Sequence, residues 1–372
     1  MNYIQWMDDL SIKSKLLDYK KQQTDYKIKY VVEYTKLWMY VSVNRQEVTD
    51  VNFVDCMCNA GIYKDGDLCT SMEVLLLFIK EAQQHSSKRF NLFVNDVDEK
   101  RINICKQISE KLLEGHNVPN LNIYFSNLDV NEYLTKYYLF DKNLGYGAST
   151  ILFVDPYDFG TVIISRLTSF IKKYYCEVVF NFFTSDYIRN GIDTRIRECI
   201  GNIEIANKDE LISYIVNSFR VGKMKYVFSY QFRTSTNTEL YQIIFVTPSK
   251  KGLEKLKEAL WSTFNGKFYY RNINVSEIQL PLFSDEYDRQ TLLSIHASDA
   301  KTLLLKQFSG QSALYQQIEE FLVQNTMLQT SDFLGSVIKP LIKEGRIIKR
   351  GITYNKNNYK EDEYIFKKES IS

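Results

Sequence analysis

Five short apolar runs, separated by helical patterns, restrict this chain more than any other feature. They are VNFVD (51–55), NLFVND (91–96), NIYFSNLD (122–129), TILFVDP (150–156) and EVVFNFF (177–183). Strands that are apolar along their whole length need cover on both faces, and helical crossovers supply it, so the alternation predicts a parallel sheet in an α/β fold. Between the runs, Asp98 to Glu114 places Ile102, Cys105, Ile108 and Leu112 on one stripe. Ahead of the first run, QQTDYKIKYVVEYTKLWMYV repeats Ile28, Val31, Tyr34 and Trp38 at helical spacing.

After the fifth run the pattern changes. KYVFSYQF (225–232) and ELYQIIFVT (239–247) flank a short polar segment and read as an antiparallel hairpin. Five parallel strands closed by such a hairpin outline the Rossmann-like class I S-adenosylmethionine (SAM) methyltransferase fold, and flavodoxin-like or dehydrogenase sheets do not end this way. From Gln311 onward, SALYQQIEEFL and TSDFLGSVIKPLIKEG read as amphipathic helices, the second opened by capping candidates from Thr330 to Asp332. The following RIIKRGITYNKNNYKEDEYIFKK reads as a two-stranded ribbon, so the C-terminal pattern predicts a small winged helix-turn-helix. On its second helix Gly335, Ser336, Lys339 and Lys343 share the face opposite Phe333, Val337 and Leu341. The expected domains are therefore 1–265 (methyltransferase-like with an N-terminal helix), 266–310 (linking) and 311–372 (winged helix). A length of 372 residues agrees with more than one domain.

The charge balance narrows the partners. The net charge of +2 excludes a basic coat and confines any nucleic-acid surface to one region. From Lys339 to Ser372 there are nine Lys or Arg against five Asp or Glu. Lys339, Lys343, Arg346, Lys349 and Arg350 are therefore the candidate phosphate contacts. The six cysteines are expected to be reduced thiols rather than metal ligands, because there are three histidines and no CxxC pair. MNYIQWMDDL carries acids where a signal peptide would be basic and then apolar. No apolar run reaches the roughly 20 residues of a membrane span. A cytoplasmic protein is expected.

Ligands of open α/β sheets bind beyond the carboxyl ends of the strands. Four loops lie there. The first holds Asp55, Asn59, Ala60 and Gly61 and reads either as a cofactor loop or as a strand followed by a turn with no cofactor; asparagine stands where a methyltransferase loop has its first glycine, and it tolerates positive φ better than other side chains. The second ends on Asp96, placed to accept ribose hydroxyls, with Asp98 reading as an acid at a helix N-terminus. The third ends on Asp129, placed either for an adenine amine or as a helix cap. The fourth, ILFVDPYDFG, reads either as a strand stopped by proline or as an amine-methylating motif. In the second reading the Asp155 carboxylate and the Pro156 carbonyl accept the amine hydrogens, and Tyr157 stacks on the base.

Beyond these patterns, the chain resembles the three-Cys-motif partner (TcmP) proteins. Their first loop, D-x-F-A-G-P-G followed by D-G and a G-S-P-L-like helix start, is similar to DCMCNAG, KDG and CTSMEVLLLFI here. Their DPFG is matched by DPYDFG with one residue inserted, and their Y-x-L-x-F-x-T with G-L-x-x-x-K-x-A-x-W by YQIIFVTPSKKGLEKLKEALW. The resemblance spans roughly 10–350 and includes the helix QTDYKIKYVVEYTKLW and the winged helix. It implies a methyltransferase-like protein that works beside a radical-SAM-like partner carrying the three cysteines. The chain departs from the family at Asn59, Ala60 and Thr70 to Met72.

The function expected on these grounds is methyl transfer from SAM to an exocyclic amine of a nucleic-acid base. The alternative is a catalytically degenerate methyltransferase fold serving the partner as scaffold or SAM sensor.

Overall fold

The computed structural model describes residues 3–185, 194–221, 224–272, 288–351 and 362–368. Contact clustering divides the chain into two compact units, 1–249 with 269–274, and 250–268 with 275–372.

The first unit is built on an eight-stranded sheet in the order β3-β2-β1-β4-β5-β7-β6-β8. β1 (Asp50–Asp55), β2 (Arg89–Asn95), β3 (Leu121–Ser126), β4 (Ala148–Val154) and β5 (Glu177–Phe182) are mutually parallel. β7 (Glu239–Thr247) runs antiparallel to both β5 and β6 (Tyr226–Arg233). This is the class I methyltransferase sheet that the apolar runs and the hairpin predict. The eighth strand, β8 (Tyr269–Arg271), pairs parallel to β6 and has no counterpart in the sequence reading.

The central strands are buried on both faces because helices cover them. The helix Gln22–Val43 buries Ile28, Val31, Tyr34 and Trp38 as its spacing predicts. Glu99–Leu113 buries Ile102, Cys105, Ile108 and Leu112, with Asp98 as its N-cap accepting the Lys100 N–H at 2.9 Å. Crossing the sheet is a buried polar line at one register: Asn52 donates to Thr150 Oγ1 (3.0 Å), Asn91 to Asn52 Oδ1 (2.8 Å) and Asn122 to Asn91 Oδ1 (3.0 Å). Each buried amide is thereby supplied with a partner from the next strand.

The second unit holds the helices Lys250–Phe264, Arg289–Phe308 and Tyr315–Asn325. A broken helical stretch follows, made of Thr330–Asp332, a π-helical turn Phe333–Ile338 and Lys339–Lys343. Its small antiparallel sheet has the order β10 (Ile347–Arg350), β11 (Glu363–Phe366), β9 (Ser312–Leu314). Phe333, Val337 and Leu341 are buried and Gly335, Lys339 and Lys343 are exposed, as their spacing predicts, while Ser336 of the same expected face is half-buried. The polar ribbon tip at 352–361 lies outside the described residues, as does 273–287.

The expected boundary at 265 and the expected linking region 266–310 do not stand. Lys250–Phe264 belongs to the second unit, and residues 289–308 of the linking region form a 20-residue helix. The reason is side-chain anchoring that no local pattern reports. Trp261 Nε1–H donates to the Met327 carbonyl at 2.8 Å, Thr330 Oγ1 to Glu254 at 2.7 Å, and the buried Lys257 ammonium to the Val323 and Leu328 carbonyls.

Candidate functional site

Asp55 closes β1 and is fully buried, its Oδ1 accepting the Met57 N–H at 3.1 Å. Burial pushes its carboxyl up to about 7, and the nearby charges of Asp155 and Asp96 add to that. The chain then turns through Asn59 at φ 59° and Gly61 at φ 81°. Asn59 holds the left-handed conformation by a local hydrogen bond, its Oδ1 accepting the Ala60 N–H at 2.7 Å. At Gly61 a Cβ would meet the Cys105 Cα at 3.2 Å, so the close approach of the loop to the helix Glu99–Leu113 requires glycine there.

Asp96 follows β2 and orders the loop of the neighbouring strand. Its Oδ2 accepts the Asn59 N–H (3.0 Å) and its Oδ1 the Asp98 N–H (2.9 Å). Burial raises its pKa, and these two N–H bonds oppose the rise. Asn95, which the sequence reading did not single out, ties three strand ends together. It donates to the Cys56 carbonyl (3.0 Å) and the Leu128 carbonyl (2.9 Å), and accepts the Leu128 N–H (3.1 Å). Asp129 caps the short helix Val130–Tyr133, accepting from Asn131 N (2.9 Å) and Glu132 N (3.4 Å).

These loop ends surround a narrow cleft lined by Cys56, Met57, Asp96, Asp129, Tyr157 and Thr161, among others. It lies where the strand order reverses between β1 and β4, the usual ligand position of an open sheet. Tyr157 is 52% exposed and forms part of its wall. The Arg101 guanidinium lies 5.5 Å from the Tyr157 ring centroid and donates to its hydroxyl. Arg101 also pairs with Asp18 at 3.2 Å, and Asn59 Nδ2 donates to the same carboxylate at 3.2 Å. The chemistry present is an acceptor set with a ring: two carboxylates following β2 and β3 and Tyr157 at the rim, each Asp96 oxygen keeping a lone pair beyond its N–H bond, which is the kind of set that ribose hydroxyls and an amine would need. The space of about 40 Å³ is small beside the roughly 300 Å³ of ordinary ligand pockets.

Asp155 follows β4, with the buried Pro156 next to it. Its Oδ2 is ion-paired with Lys27, and its Oδ1 accepts from Asn181 Nδ2 at 2.7 Å. Lys27 is buried, with its ammonium 5.9 Å from the Tyr241 ring centroid. Tyr241 in turn stacks on Phe232 (4.8 Å) and meets Phe183 (5.4 Å). Sequence reasoning missed Lys27, Asn181 and Arg101. For Lys27 no local signal exists, since it lies 128 residues from its partner.

In the second unit Lys339, Lys343, Arg346, Lys349 and Arg350 are all exposed. Lys349 pairs with Asp362 at 2.6 Å and Arg350 with Glu363 at 3.7 Å. All six cysteines are buried free thiols. Among the described residues no helix is long and apolar enough to cross a membrane.

No protein-family model and no curated protein matches the sequence. Solved structures similar to it include two methyltransferase-fold proteins of low identity. A variant of the 16S rRNA (adenine(1408)-N(1))-methyltransferase from Catenulisporales acidiphilia is 11% identical, with a TM-score of 0.30, covering 56% of this chain and 89% of its own. Spermidine synthase from Thermotoga maritima is 15% identical, with a TM-score of 0.28, covering 68% of this chain and 72% of its own. The fold class rests on strand order and register, not on these two likenesses.

Proposed function

We propose that this chain binds SAM in the cleft beyond β1, β2 and β3 and transfers its methyl group to an exocyclic amine of a nucleic-acid base. One observation supports the reading above others: Asp96, Asp129 and Tyr157, from three separate loops, line a single cleft at the switch point of a class I methyltransferase sheet. When bound, SAM supplies an electrophilic methyl sulfonium. The protein's part is orientation. Asp96 accepts the ribose hydroxyls with the lone pairs its N–H bonds leave over, and Asp129 accepts from the adenine amine while capping its helix. Asp55, Asn59 and Gly61 shape the loop beneath. Asp155 and the Pro156 carbonyl hold the acceptor amine, and Tyr157 stacks on the base, which must be flipped out of a duplex or taken from a single strand.

The second unit is read as a winged helix-turn-helix that recruits the polymer. Its order of helix, strand, helices and two strands, with one three-stranded sheet, supports this. Lys339, Lys343 and Arg346 are its phosphate contacts, with Lys349 and Arg350 beside them. The TcmP resemblance adds a partner carrying three cysteines. A second reading, a degenerate fold acting as scaffold or SAM sensor for that partner, is favoured by the Lys27 ion pair on Asp155 and by the narrowness of the cleft.

Isothermal titration with SAM and with S-adenosylhomocysteine tests the cofactor site. Micromolar binding that Asp96→Ala abolishes is expected. An Asp155→Ala protein that still binds SAM is expected to methylate no oligonucleotide. Absence of SAM binding by the folded protein rejects the enzyme reading, and unchanged methylation by the Asp155 variant rejects the assignment of that residue.

A further inference from the structure

Between Glu114 and Asp129 lie fourteen residues without Lys, Arg, Asp or Glu, the longest uncharged stretch of the chain. In its middle is β3, which stands at the end of the eight-stranded sheet and is hydrogen-bonded to β2 alone among the described residues. All six of its residues are half-buried. Its register with β2 runs without a bulge, and the strand holds no proline, glycine or charge. Exposed sheet edges are normally blunted by brevity, charge, proline or a bulge, because unpaired N–H and C=O groups recruit other strands. The opposite edge follows that rule: β8 has three residues and ends in Arg271, and the Arg233 guanidinium lies 4.1 Å from the Tyr269 ring centroid. β3 has none of these protections.

The ladder decides which groups this edge offers. The Phe90 N–H donates to the Asn120 carbonyl at 2.8 Å and the Asp96 N–H to the Ser126 carbonyl at 3.4 Å. Backbone direction alternates along a strand, so Asn120, Asn122, Tyr124 and Ser126 turn to β2, whereas Leu121, Ile123 and Phe125 turn outward. The Leu121 N–H is taken by the Val118 carbonyl at 3.0 Å. The Ile123 and Phe125 N–H groups and the Leu121, Ile123 and Phe125 carbonyls have no partner among the described residues. Side chains alternate too. Asn122 and Tyr124 share the face where Asn122 donates to Asn91 and Tyr124 stacks on Phe93 at 4.6 Å; Leu121, Ile123 and Phe125 share the other.

We propose that β3 pairs antiparallel with β3 of a second copy of this chain, about a two-fold axis at Ile123, so that one sheet runs through both molecules. In that register Ile123 exchanges both N–H···O bonds with its own mate, and each Phe125 N–H reaches the Leu121 carbonyl of the other copy. Leu121 then faces Phe125, and Asn122 faces Tyr124, so that apolar side chains meet on one face and like charges meet on neither. The strand is complementary to itself, as a two-fold interface requires, and this singles out a second copy over a foreign strand. The inference goes beyond the methyl-transfer reading and is separable from it, because its readout is mass and not cofactor binding or activity.

Sedimentation velocity of the full chain from about 1 to about 100 μM tests it, since an edge of six residues is a small interface and micromolar association is expected. The weight-average mass should rise toward twice that of the monomer. Ile123→Lys sets two ammonium groups face to face and should weaken association about a hundredfold or more, with circular dichroism checking that it folds. Cysteine variants read the register independently, because all six native thiols are buried. With oxidised glutathione, Ile123→Cys should yield a disulfide-linked dimer, as the two mates lie about 5.5 Å apart at Cα. Leu121→Cys, whose counterpart is Phe125, should not. The proposal is overturned if the wild type stays monomeric over the whole range, which leaves the edge to a foreign strand or to solvent. It is also overturned if a folded Ile123→Lys protein dimerises like wild type, or if Leu121→Cys cross-links as readily as Ile123→Cys.

Discussion

Asp55, buried beside two other carboxylates, shows what a single side chain contributes. Burial, with Asp155 and Asp96 adding, holds its pKa at about 7, against the ordinary value near 3.8. Between those values the folded state binds the proton that the unfolded state has lost. The stability from this group is therefore complete below about pH 4 and is lost as pH rises through 7. Glu177, pushed up to about 7 by burial, acts in the same direction. Asp55→Asn is expected to flatten the fall in Tm between pH 5 and 8, and adding Glu177→Gln to flatten it further; thermal unfolding across that range checks both. At this scale the loop was legible, because Asn59 and Gly61 are residue types that positive φ selects. The Lys27 contact with Asp155 was not, since an ion pair between distant residues leaves no mark on either neighbourhood.

At the scale of elements, strand positions followed from apolar runs that only a doubly covered sheet can bury. What those runs concealed is the polar line through them. Asn52, Asn91 and Asn122 each look like an interruption in an apolar strand, yet the parallel register sets them side by side and each amide satisfies the next. Asn91→Ala removes the middle member and leaves the Asn52 oxygen and the Asn122 amide without this partner. The expected loss is about 1–3 kcal/mol, read from urea denaturation; a loss below about 0.5 kcal/mol would mean that neighbouring groups or water replace Asn91. The three-residue β8 escaped notice because so short a strand is defined by its partner β6, not by a pattern of its own.

For the whole molecule the division into units matters most. The helix Lys250–Phe264 continues the chain directly from β7, and its amphipathic pattern fits a methyltransferase domain as well as any other. Its assignment to the second unit comes from Trp261, Lys257 and Thr330, whose partners lie about 65 to 75 residues away. A fragment of residues 250–372 is therefore expected to unfold cooperatively, whereas 311–372, cut at the boundary that local patterns suggest, is expected to show no cooperative transition. Circular dichroism during heating distinguishes them. The sequence by itself determined the parallel sheet, its closing hairpin, the loops at the strand ends and the buried face of the C-terminal helix, because periodicity and residue type act within a few residues. Tertiary structure alone decided which residues hold Asp155, how little room the cleft leaves, and which unit owns the helix Lys250–Phe264. Each of these depends on side chains meeting across long stretches of chain, and such meetings are set by packing and register rather than by local pattern.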